Sequence, residues 1–214
     1  MDNVEIVTTD DGGLIAAQYQ AFVKVISKIK AETLPPHRQI DHVINLGPDY
    51  KLRYGRIHNL SQFELQTLKA IMEMNLPNSF IQRATSSAAA PIVVSKKEET
   101  GLWSCVDYRA HNLGTVQNRY QFPPIPQLLD QVREAQIFTN LDLRNAYHLI
   151  RVKEGDKFRT TFRTGYGQFE YDVKRFGLTN SPATFQTFIA LVNSGILTTS
   201  PCATLMIYSS NRPI

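Results

Sequence analysis

Cysteine is scarce in this chain. Only Cys105 and Cys202 occur among 214 residues, too few for a disulfide framework, so a reducing intracellular setting, cytoplasm or nucleus, is expected. No apolar run approaches the roughly 20 residues that a membrane-spanning helix needs, so no membrane partner is expected. The first residues, MDNVEIVTTDDGG, lack a basic segment followed by an apolar one, which leaves no signal peptide to be read. His37, His42, His58, His111 and His148 are scattered without metal-ligand spacing and are expected at structural or surface positions. Internal repeats and low-complexity tracts are absent, which excludes a solenoid. Charge of one sign is also not dominant. The net value is +4 with a pI near 9.1, a mild basic bias and by itself a weak pointer to nucleic acid.

What is present is an ordinary globular composition, 43% hydrophobic and 20% charged, long enough for one medium domain or two small ones. The basic bias is local. Between Arg144 and Arg175 eight Lys/Arg face four Asp/Glu, with Tyr147, Phe158, Phe162, Tyr166, Phe169 and Tyr171 interleaved. That texture fits a groove for a nucleic-acid strand, although composition alone favours an ordinary half-buried sheet with a charged outer face.

Apolar residues at helical spacing predict a helix over 16–30, broken by Leu34-Pro35-Pro36-His37. His42 to Leu46 reads as a strand and Gly47-Pro48-Asp49 as a turn. Ser61 followed by Glu64 is a capping box that opens a helix through Leu65, Leu68, Ile71 and Met72 to near Pro77. Residues 92–95 and 102–107 read as strands around a turn at 96–101. Pro123, Pro124 and Pro126 introduce a helix near 127–134. A strand over 137–143, ending at Asp142, is followed by a helical turn between Arg144 and Val152. Residues 158–164 and 168–173 form a hairpin about Gly165-Tyr166-Gly167, and Pro182 starts a helix at its first position.

Seven segments occur in series: LPPHR from Leu34, YGRIHNLSQFEL from Tyr54, CVDYRAHN from Cys105, NRYQFPPI from Asn118, FTNLDLRNAYHLIRV from Phe138, KFRTTFRTGYGQFEY from Lys157 and FGLTNSPATFQ from Phe176. Together, from about Leu34 to about Val192, they resemble the reverse transcriptase of gypsy-type long-terminal-repeat retrotransposons. The resemblance implies an α+β chain with the right-hand architecture of polymerases: fingers plus an incomplete palm, thumb absent. It implies an N-terminal helix and linker over 1–36, connection and fingers over 37–136, a partial palm over 137–192 and an aberrant tail over 193–214. The implied activity is RNA-directed DNA polymerisation, with an RNA/DNA template-primer and deoxynucleoside triphosphates as partners.

By that likeness Asp142 is a catalytic, metal-binding carboxylate. Phosphoryl transfer of this kind uses two Mg²⁺ ions about 3.5–4 Å apart, and Mg²⁺ prefers hard oxygen ligands. Tyr147 corresponds to the ring beneath the incoming sugar that excludes a 2′-hydroxyl, and Leu143 and Ala146 join the same nucleotide-binding set. Phe176 and Gly177 resemble the loop packed against the nucleotide, where glycine lets backbone approach a ligand. Lys96 and Lys97 lie on the hairpin that presents basic side chains to the triphosphate. Arg109, Asn112 and Pro182 fall at template-binding positions, Arg109 either on the template or in a structural ion pair with Asp107.

Two departures bear on activity. Four residues before Asp107 the family carries an arginine that grips the triphosphate; here it is Trp103, which removes a charge-assisted phosphate contact. The second is the Tyr-x-Asp-Asp hairpin that carries the remaining carboxylates, expected from position 204. Residues 204–207 are Thr-Leu-Met-Ile, and Tyr208-Ser209-Ser210-Asn211 carries no acid. Read one nucleotide earlier, the Met206 and Ile207 codons force an aspartate codon, and the neighbouring codons permit Tyr-Leu-Asp-Asp-Ile-Leu-Ile. A one-nucleotide slip near 190–194 is therefore expected, with the tail translated out of frame. Three readings follow: an inactivated reverse transcriptase domain, a nucleic-acid-binding remnant, or an unstable product of a decayed element.

Overall fold

The computed structural model describes residues 6–8, 14–23, 27–97, 101–120, 126, 130, 133, 140–143, 145–199 and 206–208. The chain divides into two compact units, Met1–Leu34 and Pro35–Ile214.

In the first unit β1 (Ile6–Thr8) pairs antiparallel with β2 (Leu14–Ala16). A 3-10 helix (Ala17–Phe22) and a short helix α1 (Lys28–Ala31) follow. The single helix expected over 16–30 is thus replaced by a strand end and two short helical pieces; residues 24–26 lie outside the described residues.

The second unit is built on a five-stranded mixed sheet. Its strands are β3 (Ile81–Arg83), β4 (Ala90–Lys97), β5 (Gly101–Val106), β7 (Phe162–Thr164) and β8 (Gly167–Tyr171), in the spatial order β3-β8-β7-β4-β5. All neighbours run antiparallel except β4 and β7, which pair in parallel through Ala90–Phe162 and Pro91–Arg163. Strand β6 (Asn140–Asp142) lies apart from this sheet, paired in parallel with β9 (Met206–Tyr208).

Helix α2 (Gln62–Asn75) starts where the capping box predicts. Ser61 Oγ accepts from the Glu64 N–H at 3.3 Å, and Glu64 Oε2 accepts from the Ser61 N–H at 2.7 Å. It buries Leu68 and Met72 in a core with Ile81, Ile92, Val106, Phe162, Phe169 and Tyr171 from the sheet. Alternation along β8 explains the burial: Phe169 and Tyr171 point inward while Glu170 between them stays partly exposed. A one-turn helix α3 (Arg109–Asn112) follows β5. A smaller cluster joins Ala146, Ile150, Phe185 and Phe188 under helix α4 (Ser181–Thr199), with Leu143 and Tyr147 packed against it. Among the described residues no helix is long and apolar enough to cross a membrane.

Several sequence expectations shift. The segment His42 to Leu46 is extended but makes only isolated bridges, His42 with Val152 and Leu46 with Thr115. Side chains take over its ladder bonds: Asp156 Oδ2 accepts from the Ile44 N–H at 3.0 Å, and the Arg159 guanidinium donates to Ile44 O. Residues expected as the first half of the 158–164 strand form a 3-10 turn (Lys157–Thr160). There the Thr160 and Thr161 hydroxyls donate to the Lys157 and Phe158 carbonyls and hold the local turn. The β4–β5 strands are longer than predicted, so Lys96 and Lys97 belong to the ladder opposite Leu102 and Gly101 rather than to the turn. Helix α4 begins at Ser181, one residue before Pro182. The helix expected near 127–134 and the first residues of the 137–143 strand lie outside the described residues, Asp130 and Arg133 excepted.

Candidate nucleotide site

The site forms where β6 turns back. Asp142 closes the strand, and Asn145 then adopts the left-handed region at φ 49°, a conformation asparagine tolerates better than most residues. The turn leads into a 3-10 helix (Ala146–Leu149) that buries Ala146 and leaves Tyr147 half-buried. The Tyr147 ring meets Phe176 at 3.9 Å between centroids and Phe185 edge-on at 5.3 Å. Leu143, Ala146, Tyr147 and Phe176 are therefore neighbours, four of the residues predicted for nucleotide binding.

Gly177 continues the loop at φ +92°, and a Cβ there would lie 3.4 Å from Tyr108 Cδ2 and 3.5 Å from Val106 O. Asn112 holds this loop from both sides: its Nδ2 donates to Gly177 O at 2.6 Å, and its Oδ1 accepts from the Thr179 N–H at 3.0 Å. The predicted template residue thus has both ends of its amide engaged within the chain. Arg109 makes the ion pair that the sequence left open. Its Nε and Nη2 donate to the two Asp107 carboxylate oxygens at 2.9 and 2.7 Å, while 89% of its side chain stays exposed. The bidentate bond, with burial opposing it, holds the Asp107 carboxyl below its usual range. Pro182 is exposed on the first turn of α4. Lys96 and Lys97 stand at the end of β4.

Sequence reasoning missed Lys174. Its side chain is fully buried, Nζ donates to Ser181 O at 2.9 Å, and the ammonium position lies 3.2 Å from the centre of the Tyr147 ring. Burial lowers its pKa to about 6. Beside it, burial and then the charges of Arg175 and Lys174 lower His148 to about 3, and Arg175 Nη1 approaches His148 Nε2 at 2.8 Å. Nothing in Tyr171-Asp172-Val173-Lys174 marks the lysine as internal, because all four residues are buried and alternation is lost.

The donor set does not fit a two-metal centre. In register, the cross-strand partner of Asp142 is Tyr208, and no Asp or Glu follows Asp172 in the sequence. Among the described residues no group of three or more His, Cys, Asp or Glu is gathered. A single aspartate whose register partner is a tyrosine does not supply the set of hard oxygen ligands that a pair of divalent ions requires.

The Tf2-3 and Tf2-7 transposon polyproteins of Schizosaccharomyces pombe are each 34% identical to this chain over 173 residues. The match covers 80% of this chain, which spans 13% of the length of these curated relatives. Two solved structures share the fold at a TM-score of 0.62, each covering 85% of this chain and 25% of the other. They are the foamy viral protease-reverse transcriptase in complex with an RNA/DNA hybrid, at 19% identity, and the prototype foamy virus protease-reverse transcriptase CSH mutant, at 18%. Residues 94–208 match the reverse transcriptase (RNA-dependent DNA polymerase) family, a span that runs from β4 through the Tyr147 turn to β9. On that match, the chain belongs to the reverse transcriptase family.

Proposed function

We propose that this chain is the fingers and first part of the palm of a gypsy-type retrotransposon reverse transcriptase, and that as written it binds template-primer and nucleotide without extending the primer. Residues 37–136 are assigned to connection and fingers, 137–192 to palm, 1–36 to an N-terminal linker and 193–214 to a tail read out of frame. Tyr147 lies under the sugar of the incoming nucleotide, with Phe176 and Gly177 as pocket floor and Leu143 and Ala146 as its wall. Lys96 and Lys97 attract the triphosphate, and Arg109, Asn112 and Pro182 border the template. Asp142 is the single carboxylate kept for Mg²⁺.

The observation that carries the loss of synthesis is the register of β6 against β9, which sets Asp142 opposite Tyr208. The replacement of a triphosphate-gripping arginine by Trp103 acts in the same direction.

The test is primer extension on an RNA template with Mg²⁺, run beside Asp142→Asn and beside a salt titration of template-primer binding. Expected are no extension by either protein and binding that weakens linearly in log–log form as salt rises. Extension abolished by Asp142→Asn would overturn the inactive reading, and absence of salt-dependent binding would overturn the binding reading. Sequencing the transcript beyond the codon for Phe185 checks the tail, since a frame without Tyr-Leu-Asp-Asp removes the frameshift.

A further inference from the structure

A cleft of about 430 Å³ opens between the segment 39–45, the segment 116–118 and the first turns of α4. Its size is that of sites for small organic ligands. Its walls are fastened to one another. The Val116 N–H donates to Asn45 O at 2.8 Å, the Asn118 N–H to Asn180 Oδ1 at 2.9 Å, and Asn180 Nδ2 to Val116 O at 2.8 Å. On the α4 side, Thr184 Oγ1 donates to Asn180 O at 3.0 Å and meets the ring of buried His42 at 2.9 Å. Asn180 is therefore consumed in holding the cleft open.

The other amides are not consumed. The side chains of Gln39, Asn45, Gln117 and Asn118 border the cleft and make no hydrogen bond among the described residues. Each offers a donor and an acceptor in one plane. Ile40, Val43 and Val116 supply apolar faces between them. Among the described residues no lysine or arginine lines the space, and the one charge is Asp41, whose carboxylate already accepts from the Arg38 N–H at 3.0 Å and pairs with His37. A phosphate or carboxylate ligand would meet only a like charge there. The chemistry favours a neutral, flat molecule with donors and acceptors along its edge and apolar faces.

We infer that this cleft takes an unstacked nucleobase, its edge read by Gln39, Gln117 and Asn118 and its faces held by Ile40 and Val116. Paired amide donors and acceptors complement base edges, and apolar side chains can flank an extruded base. The pocket chemistry stands by itself; that the base belongs to a bound single strand rests on the proposed function.

The test follows the side-chain NH₂ resonances of the full-length chain by NMR during titration with adenosine, guanosine, cytidine and uridine, and separately with oligothymidylate and an abasic oligonucleotide. At least one base-bearing probe should move the Gln39, Gln117 and Asn118 amides. Gln117→Ala or Asn118→Ala, both at exposed positions, should weaken that response about tenfold at an unchanged melting temperature. Gln39→Ala provides an independent second wall. A response to nucleosides alone assigns the site to free nucleosides, and a response to oligothymidylate alone assigns it to a strand; either supports the inference. Amides unmoved in a chain that melts cooperatively overturn it, as does an equal response to the abasic oligonucleotide. Oligothymidylate that binds on a filter yet leaves these amides unmoved removes the cleft and keeps the proposed function. A nucleoside response without any strand binding does the reverse.

Discussion

Lys174 Nζ stands 3.2 Å from the centre of the Tyr147 ring and 5.1 Å from that of Phe185, with the Ser181 carbonyl as its acceptor. A fully buried amine so placed loses its hydration, and the aromatic faces and one carbonyl do not replace it, so its pKa falls to about 6. His42 lies near enough for Lys174 to add to its own burial-driven fall to about 3, and His148 is lowered by Arg175 as well.

Stability should therefore depend on pH in a defined direction. Between about pH 6 and about 10 the unfolded chain holds a proton on Lys174 that the folded chain does not, so stability rises with pH across that window. The slope from one such group is at most about 1.4 kcal/mol per pH unit. From the ordinary histidine value of 6.5 down to about 3, His42 and His148 act likewise, and stability falls as pH falls. Melting curves should show Tm climbing from pH 6 to about 9, and Lys174→Met should flatten the climb and raise Tm at pH 7. Identical pH slopes for the two proteins would remove Lys174 as the cause.

Gly177→Ala should destabilise the fold by about 1–2 kcal/mol, because φ +92° is costly for any residue with a Cβ. The added methyl would meet Tyr108 Cδ2 at 3.4 Å, an ordinary van der Waals contact, so the cost is conformational. Urea unfolding measures the loss, and a change below about 0.5 kcal/mol would mean that the Asn112 clamp relaxes freely.

Asp172 is buried and accepts from Lys157 Nζ at 2.7 Å and Arg151 Nη2 at 3.2 Å, while its carbonyl accepts from Arg151 Nε at 3.2 Å. Removing Asp172 leaves Arg151 without a carboxylate and Lys157 with only the exposed Glu154 at 3.1 Å, so Asp172→Ala should cost about 3 kcal/mol. The double variant with Lys157→Met should recover part of that loss, which chemical denaturation can read as a coupling energy.

Ser61→Ala removes an acceptor for the first turn of α2 and should cost about 1 kcal/mol. Glu64→Ala deletes the return bonds from the Ser61 N–H at 2.7 Å and the Ser61 hydroxyl at 2.8 Å and should cost about 0.5–1.5 kcal/mol. Equal Tm values for wild type and Ser61→Ala would show that α2 is fixed by Leu68 and Met72 alone.

Much of this was legible because the signals are local. The capping box at Ser61, the turn at Gly47-Pro48-Asp49 and the hairpin of β4 and β5 each depend on neighbours close in sequence. Where the expectation failed, distant side chains had taken the backbone's partners, as Asp156 and Arg159 do at Ile44. The neighbours Leu143, Ala146, Tyr147 and Phe176 were named from motif likeness, whereas Lys174 beneath them was not, since buried residues on both faces of 171–174 leave no periodic trace.

The sequence by itself determined the family, through motifs whose order and spacing survive without any coordinates, and it determined that no Asp or Glu follows Asp172. Only the tertiary structure decided that Tyr208 lies opposite Asp142, that Asn112 clamps Gly177, and that five side-chain amides border one cleft. These relations join segments more than thirty positions apart, set by the packing of α4 and the pairing of strands, and burial in that packing is what lowers the pKa of Lys174.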